Sequence, residues 1–202
     1  KQAAKEFEVE QARSKRDGTW LDPLRGRMTV AEFYPTYLAA QSHLKPKTIA
    51  GYKDVARVRV LPRFGPVALV SISQSDVSCW IESLADEGLS ASTIRTHYRV
   101  LSRLLDEAIA DNRLARNPAR GVRLPVLASG DHRYLTPEQV ERLALSCGKY
   151  GDVVRVLAYC GLRYGELAAL RTRRVDVKRR RIAIAENVTE VSGELTWGTP
   201  KS

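Results

Sequence analysis

The sequence predicts a mainly α-helical protein with a small antiparallel β element towards its end. Three observations support this. Apolar residues recur at helical spacing between Thr29 and Asn112, a Pro- and Gly-containing basic stretch breaks that pattern around residues 118–130, and period-two alternation appears only from Arg181 onward. With 202 residues, 44% of them hydrophobic and 28% charged, the chain has material for one large domain or two small ones.

Residues 1–16 have helical composition, and Asp17-Gly18 followed by Asp22-Pro23 breaks it. Four helical stretches follow, Thr29 to Gln41, Lys47 to Leu61, Ser75 to Glu87 and Ser90 to Asn112, with no convincing strand between them. The last is the clearest. Ile94, Tyr98, Leu101, Leu105 and Ala108 share one face at four-three spacing, and Ser90 or Ser92 can cap its start. Pro118, Gly121 and Pro125, then Ser129-Gly130-Asp131, read as an interdomain linker.

Helices resume at Thr136-Pro137-Glu138, where Thr is an N-cap, Pro suits the first turn and the acid complements the helix dipole. An apolar helix over Asp152 to Cys160 is interrupted by Gly161, and a short helix runs from Tyr164 to about Arg171. The alternating Arg181 to Glu186 reads as a strand, Ser192-Gly193 as a turn, and Glu194 to Trp197 as the returning partner strand.

The chain carries 33 Lys and Arg against 23 Asp and Glu, a formal net charge of +10, which favours a polyanionic partner: nucleic acid first, an anionic membrane surface second. No apolar run approaches the roughly 18 to 20 residues needed to cross a bilayer, and the N-terminus lacks a signal-peptide core. A soluble, intracellular protein is expected. Cys79, Cys147 and Cys160 are odd in number, widely spaced and flanked by apolar residues, so they read as core thiols rather than as a disulfide framework or zinc site. His43, His97 and His132 are scattered, and no metal is expected.

The basic residues are patterned. Lys45 to Arg63 holds six of them against the single acid Asp54, alongside Thr48 and Tyr52, both able to hydrogen-bond phosphate. Arg95, Arg99 and Arg103 recur every four residues beside the apolar stripe, with His97 between them and no acid from Ser90 to Leu105. An ordinary solvated face mixes signs, because like charges at this spacing repel. Arg113, Arg116, Arg120 and Arg123 continue into the linker without an acid, as suits a strap lying along a phosphate backbone. From Arg171 to Arg181 there are seven basic residues and only Asp176, a composition that by itself marks a generic nucleic-acid patch.

Residues 158–170, AYCGLRYGELAAL, place Arg163 after a Gly-Leu turn among apolar neighbours, Val154, Leu157, Leu167 and Leu170, expected to be buried. A buried guanidinium needs compensation, and Glu166, one helical turn on, can orient it. On chemistry alone a structural ion pair explains the two residues as well as a ligand site does.

GLRYGEL resembles the motif around the first catalytic arginine of tyrosine recombinases, the phage-integrase type of site-specific DNA cutting and joining enzyme. Residues 91–119, ASTIRTHYRVLSRLLDEAIADNRLARNPA, resemble the last core-binding helix and Asn-Pro exit of that family, and Lys45-Pro-Lys-Thr-Ile-Ala-Gly-Tyr looks like its earlier DNA-facing helix. Trp197-Gly-Thr-Pro-Lys-Ser resembles the strand-turn segment that carries the family's catalytic lysine.

The resemblance implies a helical SAM-like core-binding domain followed by the N-terminal part of an α+β catalytic domain. The corresponding division is 1–27, the end of an arm-type domain or linker; 28–118, core-binding; 119–132, basic linker; and 133–202, partial catalytic domain. It implies Arg163 and Lys201 as catalytic residues with Glu166 in support. Lys45, Lys47, Thr48, Tyr52, Thr93, Arg95, Arg99, Arg103, Arg120 and Arg123 are the implied DNA-binding residues.

The implied chemistry is attack of a tyrosine on a phosphodiester, giving a 3′-phosphotyrosyl link and a free 5′-hydroxyl without cofactor. The second arginine, the histidines and the nucleophilic tyrosine are expected to lie beyond this sequence, since none of its eight tyrosines has the nucleophile's context. The implied partners are duplex DNA at core-type attachment sites, a tetramer on paired sites and an accessory DNA-bending or directionality protein, in a bacterial cytoplasm. Three other readings stand beside this one: a DNA-binding fragment or regulator without catalysis, a helix-turn-helix transcription factor built on Ser75 to Asn112, and an interaction protein with acidic partners.

Overall fold

The computed structural model describes residues 25–127, 130 and 133–200. The expected helix over residues 1–16, the breaks at Asp17-Gly18 and Asp22-Pro23, and positions Ser129, Asp131, His132 and Lys201 lie outside the described residues. The chain divides into two compact units, Lys1–Ala128 and Ser129–Ser202.

In the first unit, α1 spans Val30–Ala40 and opens on a reciprocal cap. The Glu32 backbone N–H donates to Thr29 Oγ1, and the Thr29 N–H donates to the Glu32 carboxylate at 2.8 Å. The second helix, α2, spans Pro46–Val55 and passes through a π-helical turn, Ala56–Val60, into a last turn, Leu61–Phe64. α3, Gln74–Asp86, is capped by Ser73 with Asp76 in the same reciprocal manner. α4, Ala91–Ala110, is capped by Ser90.

The core gathers Val30, Phe33 and Tyr37 from α1, Val60 and Phe64 from the end of the second helix, Val77, Trp80, Ile81 and Leu84 from α3, and Ile94, Leu101, Leu104, Leu105 and Ala108 from α4. Phe64 meets Trp80 edge-on at 5.4 Å between ring centroids. The expected single face of α4 is present, with Tyr98 at its margin donating to the Ala119 carbonyl at 2.8 Å. His97 is buried rather than on the cationic ridge, and its pKa is lowered, chiefly by burial and next by the Arg59 guanidinium.

The cysteines correct the sequence reading. Cys79 and Cys160 are exposed and Cys147 is half-buried, because helical period outranks apolar flanks. In α3 the inward positions are 77, 80, 81 and 84, which turns position 79 to solvent.

Beyond α4 the chain doubles back along that helix. Asn117 is buried, and its amide donates to the Ser102 carbonyl at 2.9 Å and to Asp106 Oδ1 at 2.8 Å, while its own oxygen accepts the Ala119 N–H at 2.8 Å. Further on, Arg95 donates from Nε and Nη2 to the Pro125 carbonyl at 3.1 and 3.0 Å. Residues 117–125 therefore form a strap antiparallel to α4.

In the second unit, α5 is Pro137–Ser146, capped by Thr136 with Gln139; α6 is Gly151–Cys160; and α7 is Tyr164–Ala168. Two antiparallel ribbons follow, β1 (Val175–Asp176) with β2 (Arg181–Ile182), and β3 (Asn187–Val191) with β4 (Glu194–Gly198). The strand expected over Arg181 to Glu186 thus pairs only at its first two residues, and backwards, with β1. The Ser192-Gly193 turn joins β4 to β3 instead. A two-residue turn selects the strand immediately before it, and both turn residues adopt the positive φ such hairpins require, 52° and 86°.

The Asn117→Ala variant removes the strap's central anchor and orphans the Ala119 N–H. It should cost about 1–3 kcal/mol in urea unfolding and speed hydrogen exchange at the Ala119 amide while α4 amides stay protected.

Candidate nucleic-acid interface and arginine site

The buried stripe of α4 leaves Ser92, Thr96, Arg99 and Arg103 on the opposite, exposed face. Arg103 donates to the Tyr52 hydroxyl at 2.6 Å with its guanidinium 5.5 Å from the centre of that ring, which ties α4 to α2. No residue of α2 between Pro46 and Val55 is fully buried, and Lys45, Lys47 and Thr48 are exposed at its amino end, where the helix dipole adds positive potential. Arg99 makes no ion pair among the described residues. Arg103 and Tyr52 thus join two packed helices on which Arg99, Lys47 and Thr48 are exposed.

The other expected contact residues are arranged differently. Arg95 is half-buried and its fork holds the strap. Arg120 pairs with Asp106 at 2.9 Å on an exposed edge. Arg123 is exposed beside an open cleft of about 300 Å³ lined also by Gln74, Ser78, Glu82 and Gly121. Thr93 is exposed, its hydroxyl 2.8 Å from that of Ser90 in the α4 cap.

In the second unit, Gly161 ends α6 in the left-handed region at φ 66°, and the chain turns so that extended Arg163 becomes the N-cap of α7. Burial here is the reverse of that expected. The Arg163 side chain is 61% exposed and that of Glu166 is 7% exposed, while Val154, Leu157, Leu167 and Leu170 are only half-buried. One Glu166 oxygen accepts the Arg163 backbone N–H at 3.1 Å and the other accepts Nη1 at 2.9 Å. These bonds, the backbone one first, lower the Glu166 pKa, so the carboxylate is charged and fixed. The result is a guanidinium held at its root and presented to solvent, suited to a tetrahedral oxyanion.

Known proteins share this arrangement of elements. The sequence model described as the phage integrase N-terminal SAM-like domain matches residues 29–85. The integrase of Mycobacterium phage L5 is 28% identical over 155 residues, 75% of this chain and 41% of that protein. The transposase of transposon Tn916 from Enterococcus faecalis is 25% identical over 173 residues, 81% of this chain and 42% of that protein. The Tn1549 transposon integrase, solved with transposon right end DNA, superposes with a TM-score of 0.73 at 26% identity, covering 87% of this chain and 58% of that one. A lambda integrase tetramer bound to a Holliday junction has the same fold, with a TM-score of 0.62 at 19% identity over 96% of this chain and 57% of that one.

The chain is thus similar to integrases and transposases of phages and transposons over three quarters or more of its length, and residues 29–85 match the phage integrase SAM-like domain. The chain spans about half the length of the curated relatives it matches. Three features escape a reading of the sequence alone. The Tyr52–Arg103 contact joins residues 51 positions apart. Asn117, visible only as part of an Asn-Pro exit, is the strap's anchor. Gly165, inside the arginine motif, lies where a Cβ would come within 2.3 Å of Asn187 Oδ1 and 2.5 Å of the Val188 carbonyl. That glycine lets β3 lie against α7. Arg171 ties down the same hairpin, bonding Glu186 at 3.2 Å and covering the Trp197 ring of β4 at 5.5 Å. Among the described residues no group of three or more His, Cys, Asp or Glu could hold a metal ion. Nor is any described helix long and apolar enough to cross a membrane.

The Gly165→Ala substitution should push β3 off α7 and destabilise the second unit by about 1–3 kcal/mol. Urea unfolding followed through Trp197, in a chain whose other tryptophans are replaced by Phe, measures it.

Proposed function

We propose that this chain is the core-DNA-binding part and the beginning of the catalytic part of a site-specific recombinase that integrates and excises phage or mobile-element DNA. The observation that carries the reading is the Arg163–Glu166 pair: an exposed guanidinium fixed by a buried carboxylate, in a chain whose relatives are named integrases and transposases. The Tn1549 relative was solved on transposon-end DNA and the lambda integrase tetramer on a Holliday junction, which supports duplex core-type attachment sites and a tetramer on paired sites as the partners.

In this reading the exposed surface of α2 and α4, with Lys45, Lys47, Thr48, Tyr52, Thr93, Arg99 and Arg103, grips the phosphate backbone. Arg95 acts by holding the strap from which Arg120 and Arg123 project. Attack of a tyrosine on the scissile phosphate gathers negative charge on the two non-bridging oxygens, and the planar Arg163 fork meets both. Glu166 keeps that fork oriented without competing for the phosphate side. Lys201 protonates the departing 5′-oxygen, its ammonium supplying the proton. Bond energy is retained in the 3′-phosphotyrosyl link, so no nucleotide cofactor is consumed.

None of the eight tyrosines supplies the nucleophile in this reading. Tyr164 is exposed beside Arg163 but occupies the motif's variable position. The chain therefore binds core-site DNA without cutting it.

Fluorescence anisotropy on candidate attachment-site and scrambled duplexes at two salt concentrations tests this. Expected are tighter binding to the attachment-site duplex, a steep loss of affinity with salt, and no protein–DNA adduct on denaturing gels. Equal affinity for both sequences, or no duplex binding at either salt, would contradict it.

A further inference from the structure

The residues between Arg171 and Arg181 take no part in the surfaces described above, yet they carry the densest charge of the chain. β1 and β2 form a two-residue ribbon whose turn, Val177 to Arg180, is set from within. Asp176 Oδ1 accepts the Arg179 N–H at 2.9 Å, and the Arg180 N–H reaches the Val177 carbonyl at 3.3 Å. Arg180 closes the turn with φ at 52°, a left-handed conformation that glycine or asparagine adopts more cheaply than arginine. Arginine adds nothing to the turn there except a cation at its tip.

The remaining charges are equally unneeded by the fold. Arg173, Arg174, Lys178, Arg179, Arg180 and Arg181 are all exposed, and Val177 is 81% exposed, so the tip is open to solvent among the described residues. Asp176, the only acid of the segment, is 3.8 Å from the Arg179 guanidinium. Arg171 is taken by Glu186. Arg173, Arg174, Lys178, Arg180 and Arg181 make no ion pair among the described residues. The ribbon's base is anchored by the Ala183 N–H donating to the Arg174 carbonyl at 2.9 Å, and it borders a small cleft shared with Glu166.

We infer that the β1–β2 turn is a phosphate-binding site for duplex DNA, centred on Lys178 and Arg180; the inference rests on the DNA-binding reading above. Guanidinium groups dominate the cluster and match phosphate oxygens in pairs. The turn has no aromatic side chain on which unpaired bases could stack, and Val177 alone is too little apolar surface to anchor in a bilayer, so the duplex backbone is the polyanion it fits.

Two variants of the whole chain test it by anisotropy on duplexes of about 25 base pairs over about 50 to 300 mM salt. Lys178→Gln with Arg180→Asn removes two cations while giving position 180 a residue suited to its backbone. Its melting temperature should be no lower than the parent's, and the slope of log affinity against log salt should fall by about 2, near 0.9 for each phosphate no longer neutralised. Lys178→Arg with Arg180→Lys should keep the parent slope. An unchanged slope in the first variant, or weakened binding only to polyglutamate, overturns the site while leaving DNA binding by the chain intact. Failure of the parent chain to bind duplex overturns both.

Discussion

Twenty residues of α4 have to satisfy two demands with a single period. Ile94, Leu101, Leu105 and Ala108 can enter the core only if Arg99 and Arg103 leave it, because positions three and four apart share a face and those between oppose it. The cationic surface is therefore a direct consequence of the core rather than an addition to it. Everything else in the first unit elaborates that arrangement. Tyr52 gives Arg103 a defined direction, the reciprocal caps fix where α1 and α3 begin, and the strap held by Asn117 and Arg95 lies along one flank of the same helix.

The second unit solves a different problem. A guanidinium that meets a polyanion must be both immobile and accessible, and burying it outright would cost several kcal/mol of lost hydration. Here the carboxylate is buried instead, within the first turn of α7, where the unpaired backbone N–H groups of a helix start favour an anion. Arg163 is thus oriented through its own backbone and one nitrogen while its side chain stays in solvent. Gly165 makes the arrangement continuous with the hairpin, since only a residue without Cβ allows Asn187 and Val188 so near α7.

Much of this is legible in the sequence, for reasons that differ by element. The helices and their caps are local: Ser90, Thr136 and the stripe of α4 act over three or four residues, and each is readable at that range. The motif around Arg163 is readable too, but its burial is not. The apolar residues flanking it are only half-buried, and the direction of Arg163 depends on the left-handed Gly161 before it. Arg95 reads with its neighbours as part of a cationic ridge, whereas its fork is claimed by a carbonyl 30 residues away, which leaves no local signature. The strand pairing escapes the sequence for the same reason. Alternation marks which residues are extended, not which strand they meet, and Asn187–Val191 alternates too weakly in polarity to announce itself.

Under the proposed function, the surface shared by α2 and α4 is where this chain meets DNA. Hydroxyl-radical footprinting of the protein with and without an attachment-site duplex tests it most directly. Tyr52 and the α4 segment containing Arg99 and Arg103 should become protected while Cys79, on the outward face of α3, keeps its reactivity. Protection of the Cys79 face with the α2 and α4 surface unchanged would contradict it.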